Sequence, residues 1–271
     1  MNVILLTLVV SLALAGILGF LLGVFKKLFY VAVDPTESSV RAVLPGSNCG
    51  ACGYPGCEAL AAAIAAGLAP VGACTAGGAA TAKAVGLVMG VDGVAETQVA
   101  VLLCQGTSAA CKPKARYVGV KTCLAAKVAS NGTRLCDWGC IGFGDCERAC
   151  PFDAIRLEDD GIPHVDYRKC TGCGICVAEC PRKILARVGR ARKGAITLCQ
   201  NRSEKKAQIR KDCSVGCVKC GMCEKVCPLA CIRLTDGIPD VDYEVCDSCG
   251  ECVRKCPTKS LSLVELTVKE V

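Results

Sequence analysis

The chain has 271 residues and a formal net charge of +7, from 32 Lys and Arg against 25 Asp and Glu. This length allows two or three small domains. The positive charge alone would suggest a nucleic acid or an acidic membrane as partner. However, 26 residues are cysteine, and metal-bound thiolates would offset that charge, so we expect no nucleic-acid binding. A disulfide scaffold would need an oxidising compartment, whereas the cysteine runs described below need free thiols and indicate the cytosol.

The first segment is apolar and uncharged from Val3 to Phe25, and Lys26 and Lys27 follow it directly. Its length is sufficient for a helix to cross a bilayer. The positive-inside rule then places the rest of the chain in the cytoplasm. The alternative is a cleaved signal peptide, but no basic residue precedes the apolar run. We predict a single-pass anchor at residues 1–27 in the cytoplasmic (inner) membrane.

The next segment holds a compact group of four cysteines spaced x2, x4 and x16, namely Cys49, Cys52, Cys57 and Cys74. Glycines between the first three let the backbone turn tightly around a metal centre. An Ala-rich helix is expected at 58–66, and a second helix at 83–89. We predict that this domain, at 34–90, holds one cubane cluster by itself, and that 91–97 is a connector.

Three later runs share the spacing C-x2-C-x2-C-x3-C-P, and a fourth, stretched run ends at Cys150-Pro151. This spacing is typical of two-cluster ferredoxins, in which the last cysteine of each run ligates the other cluster of the pair. Zinc sites also use C-x2-C, but as separated pairs. The regular runs are Cys170, Cys173, Cys176, Cys180; then Cys217, Cys220, Cys223, Cys227; then Cys246, Cys249, Cys252, Cys256.

The runs belong to a repeat of about 77 residues that starts at Cys150 and again at Cys227. Each copy contains a short strand, a Gly turn, a second strand and a cysteine run. The strands are expected at 155–157 and 164–167, then at 232–234 and 240–243. The fold class is therefore α+β: one N-terminal transmembrane helix, a small Cys-rich 4Fe-4S domain, and tandem two-cluster ferredoxin-like units at 98–198 and 199–271.

Most ligands are assigned by the crossed rule, in which the last cysteine of each run ligates the other cluster of the pair. Cys256 joins the run that starts at Cys217, Cys227 joins the run that starts at Cys246, and Cys150 joins the run that starts at Cys170. The remaining cluster of the first unit has Cys140, Cys146 and Cys180 but lacks a fourth ligand, because Phe143 stands where the second unit has Cys220. Cys136 is the nearest spare thiol, and we assign it there, giving five clusters.

Six cysteines remain. The segment Leu103-Cys104-Gln105 resembles Leu198-Cys199-Gln200, and Lys121-Thr122-Cys123 resembles Lys211-Asp212-Cys213. We predict a sixth cluster on Cys104, Cys123, Cys199 and Cys213. Another partition is open, since Cys213 also aligns with Cys136, and the four could instead be buried structural thiols. Cys231 aligns with Ala154 and is interpreted as a small packed residue; Cys111 has no counterpart.

No nucleophile-and-base pair, Gly-rich phosphate loop or NAD or flavin site is recognisable in the sequence. We therefore expect no catalytic residues and no substrate-transforming site. The chain is predicted to transfer electrons and do no bond chemistry.

The apolar anchor, the segment NCGACGYPGC at 48–57 and the segment CDWGCIGFGDCERACPFDAI at 136–155 together resemble the B subunit of the Rnf (Rsx) complex, in its long polyferredoxin form. Cys74 is followed by Thr75, where family members often have proline. The resemblance implies an ion-pumping ferredoxin:NAD⁺ oxidoreductase, in which this subunit accepts electrons from soluble reduced ferredoxin and relays them to membrane and peripheral subunits. Alternatives are a reductase that keeps a redox-sensing regulator reduced, and an iron–sulfur scaffold.

Overall fold

The computed structural model describes residues 3–29, 34–93 and 97–266. Helix α1 (Val3–Leu28) has Lys26 and Lys27 in its last turn. Its stretch Leu5–Leu28 has a mean hydropathy of 2.6 and none of it is buried against the rest of the protein. By length and composition this helix can cross a membrane, as the sequence predicts, although a signal sequence would meet the same criterion.

Three helices form the domain that follows: α2 (Pro35–Val43), α3 (Cys57–Ala65) and α4 (Gly78–Met89). The side chain of Asp34 accepts a 2.7 Å hydrogen bond from the Thr36 amide and caps α2. Val40, Leu60 and Val85 are fully buried where the three helices meet. Both predicted helices are confirmed, and the second is longer than expected. Of the predicted connector at 91–97, residues 94–96 lie outside the described part.

Each ferredoxin-like unit is built on two antiparallel pairs of strands. In the first unit β1 (Gln98–Leu102) pairs with β4 (Leu185–Gly189), and β2 (Ile155–Leu157) pairs with β3 (Pro163–Val165). In the second, β5 (Ala195–Thr197) pairs with β8 (Leu261–Leu263), and β6 (Ile232–Thr235) with β7 (Ile238–Val241). The inner hairpins β2–β3 and β6–β7 were predicted. In the structure the second strand of each hairpin starts one or two residues earlier than the sequence indicated. The outer ribbons β1–β4 and β5–β8 were not predicted.

The units share a core. Ile196 of β5 and Leu266 pack with Val99 and Leu185 of the first unit in one cluster of buried side chains. The domain bounds remain a prediction. The pairing of β5 with β8 nevertheless favours a start of the second unit at Ala195 and not at residue 199.

Six short helices complete the units: α5 (Cys123–Ser130), α6 (Asp145–Arg148), α7 (Ile175–Glu179), α8 (Lys206–Asp212), α9 (Met222–Lys225) and α10 (Glu251–Lys255). Four of them carry the third cysteine of a run, and each of these four starts after a glycine in the left-handed conformation. These glycines are Gly144, Gly174, Gly221 and Gly250, with φ of 71°, 84°, 72° and 75°. A side chain there would be strained, so the glycines fix the direction in which each helix leaves its cysteine run.

Candidate iron–sulfur sites

The cysteines of the second unit form two groups. Cys217, Cys220, Cys223 and Cys256 line one cavity, which is the grouping that the crossed rule predicts. In the other group, burial raises the pKa of Cys252, and the nearby thiols of the same predicted ligand set raise it further, namely Cys246, Cys249 and Cys227. Both groups therefore take their fourth thiol from the opposite run.

One group of the first unit follows the same rule. Burial raises the pKa of the Cys176 thiol to about 12, and the nearby thiols of Cys170, Cys173 and Cys150 contribute to the rise. The Sγ of Cys170 also accepts a 3.3 Å hydrogen bond from the amide of Ala100 on β1. The outer ribbon thus contributes to this group as well as to the core.

The other group of the first unit differs from the prediction. Cys140, Cys146 and Cys180 share their cavity with Cys123, and Cys136 does not line it. The reason is that the chain inserts helix α5 before the run, and the first turn of α5 folds over the position that Phe143 leaves without a thiol. The nearest cysteine in the sequence is therefore not the nearest in space.

Asp145 holds Cys123 in this position. Its carboxylate is 7% exposed and accepts hydrogen bonds from the amides of Cys123, at 2.7 Å, and Leu124, at 3.4 Å. Negative charge at the start of a helix is favourable, and here it joins the start of α5 to α6, the helix that carries Cys146. Asp145 is also paired with Arg148. Asp145 is a positioning residue that no motif in the sequence singles out.

Cys136 lies instead where the two units join, in a cavity lined by six cysteines: Cys104, Cys111, Cys136, Cys140, Cys199 and Cys213. Cys140 also lines the cavity of Cys123, and we call Cys104, Cys136, Cys199 and Cys213 the bridging set. Cys104 and Cys136 precede the cysteine run of the first unit that starts at Cys140, and Cys199 and Cys213 precede the run of the second unit that starts at Cys217. The predicted sixth group thus keeps three of its four members, with Cys136 in place of Cys123. The alignment of Cys213 with Cys136, which the sequence left open, is the pairing that the structure brings together.

The bridging set has two companions that the sequence did not reveal. Cys111 lines the same cavity, and a hydrogen bond between Cys111 and Cys213 lowers the pKa of the former and raises that of the latter. Arg134, 9% exposed, also lines the cavity and donates hydrogen bonds to the carbonyls of Gly106 and Gly161. Burial raises the pKa of Cys104, and the charge of Arg134 partly opposes this rise. The same charge helps to lower the pKa of Cys111.

The N-terminal group is formed by the four cysteines of the 34–90 domain. Burial raises the pKa of the Cys74 thiol, and Cys57, Cys52 and Cys49 raise it further. The side chain of Asn48 accepts a 2.8 Å hydrogen bond from the Cys57 amide, which fixes the loop against the start of α3. Thr75, which replaces the proline of the family pattern, leaves Cys74 within this group.

The chemistry of these groups fits iron–sulfur clusters better than single metal ions. Within the described residues, no three His, Cys, Asp or Glu side chains converge closely enough to hold one ion. Four thiols spread around a cavity suit a larger inorganic core. Backbone amides also donate to sulfurs at 3.3–3.4 Å, for example from Cys140 to Cys104, Cys217 to Cys199 and Ser260 to Cys256. Such hydrogen bonds to thiolates tune the reduction potential of a bound cluster.

Family models of iron–sulfur proteins match several segments of the chain. An Fe-S cluster family matches residues 44–76, a 4Fe-4S dicluster domain matches 138–184 and again 169–230, and a 4Fe-4S binding domain matches 239–262. The B subunit of the ion-translocating oxidoreductase complex of Methanosarcina acetivorans is 37% identical over 258 residues, which cover 93% of this chain and 97% of that protein. This chain belongs to that B-subunit family.

Two other members of the B-subunit family are similarly close. The B subunit of the Na⁺-translocating ferredoxin:NAD⁺ oxidoreductase complex of Acetobacterium woodii is 42% identical over 242 residues, 88% of this chain and 72% of that protein. The B subunit of the proton-translocating ferredoxin:NAD⁺ oxidoreductase complex of Clostridium ljungdahlii is 36% identical over 250 residues, 92% of this chain and 87% of that protein. The resemblance found in the sequence is confirmed, and with the domain matches it identifies an iron–sulfur electron-transfer protein that binds 4Fe-4S clusters.

Proposed function

We propose that this B-subunit family member holds six 4Fe-4S clusters, one on each thiol group, and that it conducts electrons from reduced ferredoxin to the membrane subunits of an ion-translocating ferredoxin:NAD⁺ oxidoreductase. When bound, each cluster supplies a centre that takes up and releases one electron. The chain's own residues space these centres, bury their thiols and place them beside the membrane. The observation that carries the proposal is the unbranched order in which the six thiol groups meet.

This order can be followed from contact to contact. Cys74 of the N-terminal group and Cys170 of the first unit line one cavity. Cys146 packs against the buried cluster that contains Cys176, which links the two groups of the first unit.

The bridging set continues the order into the second unit. The Cys140 amide donates to the Cys104 sulfur at 3.4 Å, and the Cys217 amide donates to the Cys199 sulfur at 3.3 Å. In the second unit, Cys223 and Cys252 belong to one buried cluster of side chains. The bridging set is thus the connection between the two ferredoxin-like units.

The two ends of this order suit different partners. Of the 26 cysteines, all within the described ranges, only Cys220 and Cys249 are exposed, and both belong to the second unit. A soluble donor such as ferredoxin can approach closest there. At the other end, only residues 29–33 separate α1 from Asp34, and such a segment spans about 20 Å at most. The N-terminal group therefore stays near the membrane, and we infer that it delivers electrons to the membrane partners, with the domains facing the cytoplasm.

An anaerobic titration of the full chain in detergent with reduced ferredoxin tests this proposal. Bleaching of the cluster absorption is followed against electrons added. About six electrons per chain should be taken up rapidly, one per cluster. Cys199→Ala in the bridging set should cut the rapid phase to about two, because only the second unit stays connected to the donor.

Cys49→Ser is the matched control, since it removes a cluster at the far end and should leave about five rapidly reduced centres. A rapid phase of about five in both variants would refute the proposed order. No uptake from ferredoxin by protein with full iron content would refute the donor and favour the scaffold interpretation.

A further inference from the structure

All four Cys-Pro segments end in the same turn. Three residues after the cysteine, the backbone enters the left-handed region, at Asp153, Lys183, Ala230 and Lys259, with φ of 52°, 52°, 49° and 51°. This reversal returns the chain toward the cysteine. The residue in the fifth position of each turn is therefore directed at the sulfur of the first.

The fifth position differs among the four turns: it is Ala154, Ile184, Cys231 or Ser260. Where this residue carries a polar atom, that atom contacts the sulfur. The Ser260 Oγ lies 3.4 Å from the Cys256 Sγ. The Cys231 Sγ lies 3.3 Å from the Cys227 Sγ. Two independent turns thus show that a side chain in this position reaches the thiol of the Cys-Pro cysteine.

Cys231 is also held firmly in place. It is 7% exposed and packs in the same buried cluster as Ile232 and Val241. Its carbonyl accepts a 2.8 Å hydrogen bond from the Asp242 amide, where the β6–β7 hairpin opens. A second member of the group, Cys246, packs against the same buried cluster. The group of Cys227, Cys246, Cys249 and Cys252 therefore contains a fifth thiol within reach of the ligand position of Cys227.

We propose that Cys231 is a reserve ligand, which binds the iron that Cys227 otherwise holds whenever the Cys227 bond is lost. In this exchange the Fe–S bond to Cys227 breaks, an Fe–S bond to Cys231 forms, and the proton of the Cys231 thiol passes to the Cys227 sulfur. No electron is gained or lost. The thiol is already in place, so recapture is an intramolecular step that competes well with escape of the iron. This proposal depends on the cysteine group of the second unit and not on the identity of the electron donor.

The chain offers its own control, because the first unit has the same turn with Ala154 where the second has Cys231. Full-length Cys227→Ala, purified and reconstituted anaerobically, should keep the iron and acid-labile sulfide content of the unmodified protein. The double variant Cys227→Ala with Cys231→Ala should lose one cluster, about four irons. Cys150→Ala in the first unit should also lose about four, and adding Ala154→Cys to it should restore them.

Electron paramagnetic resonance of the reduced proteins gives a second readout: the cluster retained by Cys227→Ala should have a signal that differs from the original. Loss of about four irons in Cys227→Ala, equal to that in the double variant, would overturn the proposal.

If Cys227→Ala and the double variant both fail to fold, the single variant Cys231→Ala still tests the proposal, since it keeps all four primary ligands. Under a chelator it should release its first four irons several-fold faster than the unmodified protein, because no thiol recaptures them. Equal release rates would overturn the proposal.

Discussion

The two ferredoxin-like units have the same ribbons, hairpins and turns, yet they differ at three matched positions around their cysteines. The pairs are Phe143 and Cys220, Ala154 and Cys231, and Ile184 and Ser260. The second unit has a regular set of thiols with polar support, whereas the first replaces these side chains with apolar ones. We infer that the glycine-led helices and left-handed turns define the framework, and that a thiol can be supplied to it from elsewhere in the chain.

The clearest case is the replacement of Cys220 by Phe143. The Phe143 ring packs against Tyr117, with ring centroids 5.5 Å apart. The missing thiol comes from Cys123, and Asp145 anchors the helix that carries it. Helix α5, which is inserted before the cysteine run, thus supplies the fourth thiol of the group of Cys140, Cys146 and Cys180.

Removal of the Cys123 thiol should have the strongest effect. Cys123→Ala should lose one cluster, about four irons per chain. Cys140, Cys146 and Cys180 alone would ligate only three of the four irons of that cluster. Adding Phe143→Cys should restore the iron, since it places a thiol where the second unit has Cys220. Iron and sulfide analysis of the reconstituted full chain measures both effects.

Cys136→Ala is the matched variant for that experiment. It should also lose about four irons, but from the bridging set, and Phe143→Cys should not rescue it. Rescue of Cys136→Ala by Phe143→Cys, with no rescue of Cys123→Ala, would show that the sequence-based assignment of Cys136 was right after all.

A smaller effect is expected at the bridging set, because its cavity is lined by Arg134, the one buried Lys or Arg among the described residues. Arg134→Gln should lower the reduction potential of the cluster held there, because a nearby positive charge favours the reduced, more negative state. A unit charge at roughly 8 Å with an effective dielectric constant of about 20 contributes about 2 kcal/mol, or about 90 mV for one electron.

A redox titration followed by electron paramagnetic resonance measures this shift. Arg156→Gln serves as the control, since Arg156 forms only a surface ion pair with Asp153 and should change the potential little. An unchanged potential in Arg134→Gln would show that water or other charges screen the guanidinium from the cluster.

The smallest effect concerns the hydroxyl beside Cys256. Ser260→Ala removes a donor to the sulfur and should lower the potential of the cluster held with Cys217, Cys220 and Cys223, by roughly 40 mV, as for loss of a hydrogen bond of about 1 kcal/mol. Ala154→Ser in the first unit should raise the potential of the cluster that Cys150 holds, by a similar amount. Shifts of the same sign in the two variants would contradict the turn geometry.

The sequence predicted the parts of the fold that follow from local spacing. The anchor helix, both helices beside the N-terminal cysteines and the two inner hairpins lie where the apolar run, the Ala-rich segment and the Gly turns indicated. The outer ribbons were missed because their strands are separated by up to about 90 residues and lack a turn signal between them. Pairing over such distances depends on tertiary packing, which local patterns do not encode.

The same distinction applies to the sites. Ligands within a regular run were grouped from spacing alone, because the run and its crossed fourth cysteine follow one geometry. The structure groups Cys123 and Cys136 differently from the sequence-based prediction, because distant segments complete their groups. Cys111, Arg134 and Asp145 have no motif, and only their burial and contacts in the folded chain reveal them.

The separation of the bridging cysteines along the chain has a consequence for biosynthesis. The N-terminal group is complete once residue 74 has left the ribosome, whereas the bridging set waits for Cys213, about 140 residues later. At about 5–20 residues per second this delay is about 7–28 s. During that time Cys104 and Cys136 are present on the nascent chain without their partners. The N-terminal group can therefore receive its metal first, whereas the bridging set cannot be completed until synthesis is well advanced.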